Sequence, residues 1–472
     1  MPPTRAMTDP QNAPEPVLRG WLEGPGGRRD VLVSSRGRVT LAVSFDGPEP
    51  AHGAVFDALH VEVARGREET LSRCRFDAGR DARTSGSLSF LDDVYDTRAL
   101  VYDGLVVSPK AALANVPLLL SNKDLVRPAF RAFVADAIYD ISVWRKFFDD
   151  QERLLDGEAP EAAERARQVM VQSYGPAFFE FFNAHLAELG HQVEGFTPLE
   201  HERHGFYLRR HAWPYILASQ FLWRINAKPL GYSGDAEMMR ILYENRHVGT
   251  TVFERLMHKH PISIPAAQAV RNRRRLVADN LRQVDARIGT AAPDGLRFLS
   301  VAAGPAWELQ DVYLNAEHCR RYRGALLDQD PHALAAAREV VARLERMHGA
   351  PIDVVYLQES VRTMLRPHVA ERLGRHHFIY TMGLFDYLAT PVARAVLTQL
   401  YRVLEPGGRI VVGNYHASNP SRVYMEYWGD WRLIYRTEQN MLDLAGELPG
   451  ARMDVELDPS RCQMFLKVDK VA

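Results

Sequence analysis

The stretch Gly295–Asp330, GLRFLSVAAGPAWELQDVYLNAEHCRRYRGALLDQD, decides the fold of this chain. It begins with a short apolar run, Leu296–Val301, which ends in the small-residue turn Ala302–Ala306. A helical segment is predicted next. A second apolar run, Gly324–Leu327, then ends in Asp328. The predicted order is therefore strand, tight turn, helix, strand and acid.

This order is typical of the opening of a doubly wound α/β fold that binds nucleotides, the Rossmann-like fold. Asp328 follows Gly304 by 24 positions, close to the ~20-residue spacing of a carboxylate that binds ribose hydroxyls. A dinucleotide fingerprint has three glycines, whereas the turn Ala302–Ala306 has Gly304 alone. Taken by itself, the turn fits an ordinary βαβ connection equally well.

Length and composition predict a soluble globular protein with two or three domains. The chain has 472 residues, of which 46% are hydrophobic and 25% are charged. Its formal net charge of -1 favours neither nucleic acid nor an acidic membrane surface as a partner. The N-terminus has no apolar signal region, and no apolar run is long enough to span a bilayer.

The cysteines Cys74, Cys319 and Cys462 are scattered along the chain. They show neither metal-ligand spacing nor a disulfide framework, which favours a reducing, cytoplasmic location.

The N-terminal part of the chain is predicted to form a disordered tail and a β domain. Residues 1–16 are polar and proline-rich, and residues 17–108 contain short strand-like runs such as Val39–Phe45 and Leu59–Ala64 between Gly, Pro and Asp turns. A small β-barrel or β-sandwich is expected. The region loosely resembles a PilZ-like domain, which in some families binds cyclic di-GMP. It lacks convincing forms of that family's RxxxR and Asp/Asn-x-Ser-x-x-Gly motifs, so we expect a structural or partner-binding domain.

Residues 109–290 have apolar residues at helical spacing and are predicted to form a helical lid and acceptor region. His201 and His204 lie at a spacing that fits one helix face, so a metal pair is an alternative. The stretch has no HExxH arrangement and no nearby cysteine. Histidines of the surface or of a substrate cleft are therefore favoured, and no metal is predicted.

A polar turn and a basic run precede the decisive stretch. Tyr232 and Asp235 flank a turn in GYSGD, where Asp235 fits as the cap of a helix that begins at Ala236. The basic run most simply forms a solvated helix face. Alternatively, one of its arginines pairs with a ligand carboxylate. The run consists of Arg271, Arg273, Arg274 and Arg275.

The remaining chain continues the alternation of strands and helices. Apolar runs predict further strands at Ile352–Leu357 and Phe378–Thr381. The segment LEPGGRIVV, from Leu404 to Val412, predicts a sharp turn into another strand. Two antiparallel strands, about Arg452–Leu457 and Cys462–Val468, are predicted to close the domain.

With VAAGPAWE, LLDQD, the LEPGG turn and the closing hairpin, residues 291–472 resemble a class I S-adenosylmethionine-dependent methyltransferase. More narrowly, GYSGDAEMM, AVRNRR, MGLFDYL and EYWGDW resemble bacterial proteins named for biosynthesis of 3-hydroxypalmitic acid methyl ester. The resemblance implies S-adenosylmethionine as cofactor and methyl transfer to oxygen or nitrogen of a fatty-acid-like or secondary-metabolite substrate.

The resemblance also implies roles for individual residues at the cofactor. Asp328 would accept hydrogen bonds from both ribose hydroxyls, because a carboxylate offers two acceptors and no donor. Ala302, Gly304 and Glu308 would lie beside the methionine part, and Gln329 would lie against the adenine. The remaining predicted cofactor contacts are Tyr232, Asp235, Arg271, Ser360, Val361, Met382 and Gly383.

On the acceptor side, a hydroxyl or an ammonium would require a base, whereas a carboxylate would not. The candidate bases are His204, Asp386 and His416, each of which also fits an ordinary surface or turn residue. Arg436 is a candidate for holding an anionic substrate. Candidate walls of the acceptor cleft, with core packing as the alternative for the tryptophans, are Tyr387, Tyr415, Tyr424, Trp428 and Trp431.

Two other functions remain open from the sequence. The first is a regulatory protein in which a β-domain sensor is joined to a non-catalytic methyltransferase fold. The second is a methylase of macromolecules, which the neutral charge and the absence of a basic domain disfavour. We therefore expect a small-molecule acceptor and no nucleic acid, and a homodimer is left open.

Overall fold

The computed structural model of the protein describes residues 17–63, 67–79, 86–361, 365 and 372–471. Two compact units are present: the first ends at Leu125 and the second runs from Val126. The first unit extends beyond residue 108, the predicted end of the β domain, because it includes the short helices α1 (Pro109–Leu113) and α2 (Val116–Ser121). The predicted tail at 1–16 lies outside the described residues.

The first unit is built on one antiparallel sheet. Its strands are β1 (Leu18–Glu23), β2 (Arg29–Ser35), β3 (Thr40–Phe45), β4 (Val55–Phe56), β5 (Ala58–Val63), β6 (Arg67–Leu71), β7 (Cys74–Ala78) and β8 (Gly86–Phe90). They are arranged in the order β4-β7-β8-β3-β2-β1-β5-β6. The predicted β domain is thus a single curled sheet, or half-barrel, rather than a two-layered sandwich.

Alternation along these strands explains the core of the first unit. Val31 and Val33 of β2 are buried, as are Leu41 and Val43 of β3. Successive side chains of a strand point to opposite faces, so residues two apart line the same face. This face is covered in part by the helical turn Ala99–Asp103, which contributes Leu100 and Val101 to the same core.

The second unit begins with a layer of helices that confirms the predicted helical region. Its helices are α3 (Pro128–Glu152), α4 (Pro160–Gln192), α5 (Pro198–Ile216), α6 (Gln220–Ala227), α7 (Ala236–Glu244), α8 (Val252–Ser263) and α9 (Pro265–Ile288). Phe130, Ile141 and Phe148 of α3 are buried at helical spacing and share one hydrophobic core with α4, α5 and α8.

The helices are followed by a mixed sheet of seven strands. These strands are β9 (Leu296–Val301), β10 (Tyr322–Asp328), β11 (Val354–Gln358), β12 (His376–Thr381), β13 (Leu404–Tyr415), β14 (Ala451–Leu457) and β15 (Gln463–Lys470). Their order is β11-β10-β9-β12-β13-β15-β14. The first five strands of this order pair in parallel, while β15 is antiparallel to both of its neighbours.

Helices cover both faces of this sheet. They are α10 (Leu309–Val312), α11 (Ala316–Arg321), α12 (Pro331–His348), α13 (Thr390–Arg402) and α15 (Glu438–Ala445), together with α9, whereas α14 (Arg422–Tyr427) packs against α4 and α5. Apolar residues of α9 and α12 fill the core on one face, and those of α13 and α15 fill the core on the other. The unit therefore has the doubly wound architecture expected from the sequence.

The strand order defines where a ligand can bind. From β9 the chain winds outward through β10 and β11, and then crosses to β12 and β13 on the other side. The carboxyl ends of β9 and β12 therefore flank a topological switch point. In open α/β sheets, ligands bind in the crevice at this point.

The predicted LEPGG turn lies within β13, because the strand already begins at Leu404. The pairing of β12 with β13 shifts register between His376 and Phe378, which accommodates the extra residues of this segment. Within the described ranges, no helix combines the length and apolar character needed to cross a membrane.

Candidate functional site

A cavity of about 760 Å³ opens at the switch point of the second sheet. Its floor is formed by residues at the carboxyl ends of β9, β10 and β12, and α7 and α9 contribute side walls. The volume lies within the range of ~300–1,000 Å³ that is typical of small-molecule sites.

The turn after β9 adopts an uncommon backbone conformation. Ala302, Gly304 and Ala306 have φ angles of 54°, 56° and 51°, which lie in the left-handed region. Only glycine adopts this region without a steric cost. Two hydrogen bonds to β10 hold the turn: Ala303 N donates to Leu327 O at 3.0 Å, and Gly304 N donates to Asp328 Oδ2 at 2.8 Å.

Asp328 is held by its backbone neighbours at the cavity edge. While Oδ2 accepts from Gly304 N, Oδ1 accepts from Asp330 N at 2.9 Å. Burial raises the pKa of Asp328, and these backbone hydrogen bonds partly oppose that shift. Each carboxylate oxygen has more than one acceptor site, so both can still accept a hydrogen bond from a ligand.

A buried acid, Glu308, and a partly buried arginine, Arg273, face the cavity near the turn. Glu308 Oε1 accepts a hydrogen bond from Tyr380 Oη at 2.8 Å. Burial raises the pKa of Glu308, whereas the positive charge of Arg273 favours its ionised form. Arg273 projects from α9 and donates from Nη1 to Met382 O at 3.1 Å. An anionic and a cationic group are therefore available to a zwitterionic ligand.

The cavity wall also carries a third acid and aromatic side chains. Asp386 Oδ1 accepts from Tyr415 N at 2.7 Å, and Trp431 Nε1 donates to Tyr387 Oη at 2.8 Å. Burial raises the pKa of Asp386 to about 7, although the Tyr415 N–H and the charge of Arg273 act in the opposite direction. Asp386 can thus hold or release a proton near neutral pH.

The GYSGD loop contributes Tyr232 to the cavity wall, whereas its acid, Asp235, does not line the cavity. Tyr232 lines the cavity, and its Oη donates to Asp330 Oδ2 at 3.5 Å. Asp235 is 1% exposed and lies behind the wall, where Oδ1 accepts from Met238 N at 2.8 Å and caps α7. Both Asp235 oxygens also accept from Arg224 Nε, at 2.7 Å and 2.9 Å. The role of Asp235 is to anchor the loop.

The predicted bases His204 and His416 lie away from the cavity. His204 is fully buried, where its Nε2 accepts from Arg127 N at 3.1 Å and its Nδ1 donates to Glu200 O at 2.8 Å. His416 Nε2 lies 3.0 Å from Glu438 Oε2. Both imidazoles thus have structural partners, and neither reaches the cavity.

Other predicted contacts also serve the protein scaffold. Arg271 Nη1 donates to the carbonyl oxygens of Leu242 and Ile262 at 3.0 Å and 2.9 Å. Tyr424 and Trp428 pack in the helical core rather than on the cavity wall. Arg436 is buried and does not line the cavity.

The structure brings most of the predicted cofactor residues together. The predicted residues that line the cavity are Tyr232, Ala302, Gly304, Glu308, Asp328, Gln329, Ser360, Val361, Met382, Gly383, Asp386, Tyr387, Tyr415 and Trp431.

The sequence prediction selected Arg271 from the basic run, whereas Arg273 and Arg274 lie on the cavity wall, and Arg274 is paired with Asp311. Val270 and Val277 of α9 are buried and also line the cavity. Arg273 lies three residues after the first and four before the second, so it shares their helix face. This spacing is the signal that could have identified it.

Arg436 supports the loop that carries Asp386. Its guanidinium donates from Nη1 to Phe385 O at 2.7 Å and to Asn414 Oδ1 at 2.6 Å, and from Nη2 to Leu388 O at 2.5 Å. These bonds hold both ends of the segment 385–388. Arg436 therefore positions Asp386 rather than lining the cavity.

Within the described part of the chain, no group of three or more His, Cys, Asp or Glu side chains is arranged to hold a metal ion. His201 and His204, the alternative metal pair, belong to no such group, and His201 Nδ1 lies 2.9 Å from Tyr427 Oη.

Comparisons with known proteins give weak likenesses. No protein-family model matches the chain, and no curated protein matches it. A possible exported protein from Bordetella parapertussis has 18% identity and a TM-score of 0.40, over 67% of this chain and 100% of that chain. The apo S-adenosylmethionine-dependent methyltransferase SibL has 16% identity and a TM-score of 0.35, over 65% and 99%.

A third match is the magnesium protoporphyrin IX methyltransferase of Synechocystis PCC 6803 with bound S-adenosylhomocysteine (SAH). It has 10% identity and a TM-score of 0.32, over 43% of this chain and 84% of that chain. Solved methyltransferases are thus among the matched structures. Because these TM-scores are low, the strand order and the cavity residues are what define the fold and the site.

The anchoring role of Asp235 predicts a loss of stability on substitution. Asp235→Ala removes a helix cap and leaves the partly buried Arg224 without its partner. We expect the free energy of unfolding in urea to fall by about 3 kcal/mol. Asp454→Ala, at an exposed position of β14, is the matched control. An unchanged unfolding free energy for Asp235→Ala would contradict the anchoring role.

The raised pKa of Asp386 predicts a pH-dependent stability. Between its ordinary pKa and about 7, the folded protein binds a proton that the unfolded chain has released. The stability of the wild type relative to Asp386→Asn should therefore fall by about 1.4 kcal/mol per pH unit as the pH rises through this window, and then level off. Urea unfolding at several pH values measures this difference. A difference that is flat from pH 5 to 7 would show that Asp386 is not shifted.

Proposed function

We propose that the protein is an S-adenosylmethionine-dependent methyltransferase acting on oxygen or nitrogen of a small molecule. The observation that carries this proposal is the fixed carboxylate of Asp328 at the end of β10, beside the turn after β9. In a doubly wound fold, an acid at this place binds the ribose of a nucleotide-type ligand. Each carboxylate oxygen accepts from one backbone N–H and keeps acceptor capacity for such a ligand.

The residues of the cavity fit the parts of this cofactor. Asp328 offers acceptors for two ribose hydroxyls, which are donors. Arg273 offers a guanidinium for the amino-acid carboxylate, and Glu308 offers a carboxylate for the ammonium. The volume of about 760 Å³ accommodates a cofactor and leaves space beside Asp386 and Tyr387.

When bound, the cofactor supplies a methyl group on a positively charged sulfur. The residues of the chain orient the acceptor, exclude water and remove a proton where the acceptor carries one. Orientation alone supplies much of the acceleration in such a transfer. Asp386 is the acid at the acceptor end, and its pKa of about 7 suits a general base that works near neutral pH.

Asp328→Asn tests the proposed cofactor site. The substitution preserves size but replaces one acceptor oxygen with a donor that faces a backbone N–H or the ribose. Charge-assisted hydrogen bonds contribute about 1.5–3 kcal/mol each, so the affinity for S-adenosylhomocysteine should fall at least about tenfold. Titration calorimetry of the full chain measures this loss.

Asp454→Asn is the matched control, because it makes the same chemical change at an exposed position of the same unit. It should bind as the wild type does. If the wild type does not bind S-adenosylhomocysteine, or if Asp328→Asn binds equally well, the proposed function is wrong.

A further inference from the structure

The charges that face the cavity restrict the acceptor, if the proposed function holds. The acids on its wall are Asp328, Glu308 and Asp386, and the arginines are Arg273 and Arg274. Arg274 Nε already pairs with Asp311 at 2.9 Å. Asp328, Glu308 and Arg273 match the ribose, ammonium and carboxylate of the proposed cofactor. Among the described lining residues, the charged group left for the acceptor is therefore Asp386.

Asp386 has one oxygen that the protein does not use. Tyr415 N occupies Oδ1, and no described residue donates a hydrogen bond to Oδ2. The carboxyl group is 3% exposed and lies on the cavity wall. This oxygen can therefore accept a proton from a ligand in the cavity.

The neighbouring Tyr387 offers the complementary group. Its Oη accepts the Trp431 Nε1–H at 2.8 Å, while no described residue accepts a hydrogen bond from its own O–H. Tyr387 is 43% exposed and lines the same cavity. Its O–H is thus free to donate to an acceptor atom that carries a lone pair.

The walls around these two groups are apolar and aromatic. Trp431 and Tyr415 present rings, and the Tyr415 hydroxyl is turned away to donate to Ala266 O at 3.0 Å. Met238 and Met239 also line the cavity. Thioethers and ring faces pack favourably against a flat aromatic ligand.

We propose that the acceptor is an uncharged phenolic hydroxyl on a flat, apolar ring, with Asp386 as the base and Tyr387 as the donor to the acceptor oxygen. This inference rests on the proposed function and narrows its substrate. The phenolic O–H bond breaks and its proton passes to Asp386, while the oxygen forms a bond to the methyl carbon. The electron pair of the methyl–sulfur bond stays on sulfur, so no oxidant or reductant is consumed.

Other acceptor classes fit these groups less well. A carboxylate would face the negative charge of Asp386 with no cation left among the described cavity residues to pair with it, and it needs no base. An ammonium has no lone pair for the Tyr387 O–H. An aliphatic alcohol is a much weaker acid than a phenol, whose pKa is about 10, and so lies further from the reach of a carboxylate base.

The test compares three ligands with one ring: 2-naphthol, 2-naphthoate and 2-naphthylmethylammonium. Titration calorimetry at pH 8, with the full chain saturated by S-adenosylhomocysteine, measures their affinities. We expect 2-naphthol to bind at least about tenfold more tightly than 2-naphthoate. Tighter binding of 2-naphthoate or of the ammonium, or no binding of 2-naphthol, would overturn the inference.

Two variants separate the proposed roles from a structural one. Asp386→Asn removes the negative charge and keeps an acceptor for Tyr415 N, so 2-naphthoate should gain affinity while 2-naphthol loses it. Tyr387→Phe should weaken 2-naphthol about tenfold and leave the ammonium unchanged. Tyr139→Phe, at an exposed position of α3, is the matched control. An equal change for all three ligands would mean that these residues only shape the cavity, and would overturn the inference.

Because the protein is first saturated with S-adenosylhomocysteine, failure of this inference can be distinguished from failure of the proposed function. Failure of S-adenosylhomocysteine to bind would contradict the proposed function and, with it, the inference. Binding of S-adenosylhomocysteine together with a preference for the carboxylate would overturn the inference alone.

Discussion

The hydrogen bond from the Gly304 N–H to Asp328 Oδ2, at 2.8 Å, joins the ends of two neighbouring parallel strands. The donor points toward β10 because the turn after β9 passes through the left-handed region at Gly304. The bond fixes both the turn, which forms one wall of the cavity, and the acid, which forms its edge. Together with the bonds from Asp330 N to Asp328 Oδ1 and from Ala303 N to Leu327 O, it orients the carboxylate and supports the unfavourable alanine conformations of the turn.

The rest of the second unit places chemical groups around this fixed point. Helix α9 crosses the sheet and brings Arg273 to the end of β12, where Met382 O accepts its hydrogen bond. Arg436 holds the backbone on both sides of Asp386, so this acid faces the cavity from a rigid segment. The ion pair of Arg224 with Asp235 fixes the loop that carries Tyr232. Arg436 and the pair of Arg224 with Asp235 thus position the site without lining the cavity.

The sequence predicted the features that depend on local pattern. Strands β9 and β10, the turn between them and the placement of Asp328 follow from apolar runs and small residues close together in the chain. Features that depend on distant partners were not predictable. His204 is buried because Arg127 and Glu200 satisfy its two nitrogens. Its sequence neighbourhood, rich in histidine and arginine, instead indicated a cleft.

Helix boundaries show the same limit. A glycine is a common stop signal for a helix, yet α4 continues past Gly190 to Gln192, because a single glycine costs only about 1 kcal/mol and packing of the helix outweighs it. Likewise, the choice among the four neighbouring arginines required the helix face that α9 presents to the cavity. The residue types alone predicted a positively charged run. The packing of α9 determined that Arg273 faces the cavity.

A crystal structure of the full chain with S-adenosylhomocysteine is the most direct test of the account. It should show both ribose hydroxyls within hydrogen-bonding distance of Asp328 and the amino-acid carboxylate at Arg273, with open space beside Asp386 and Tyr387. A ligand bound elsewhere, or bound in the cavity with its ribose away from Asp328, would contradict the central claim that this carboxylate organises the site.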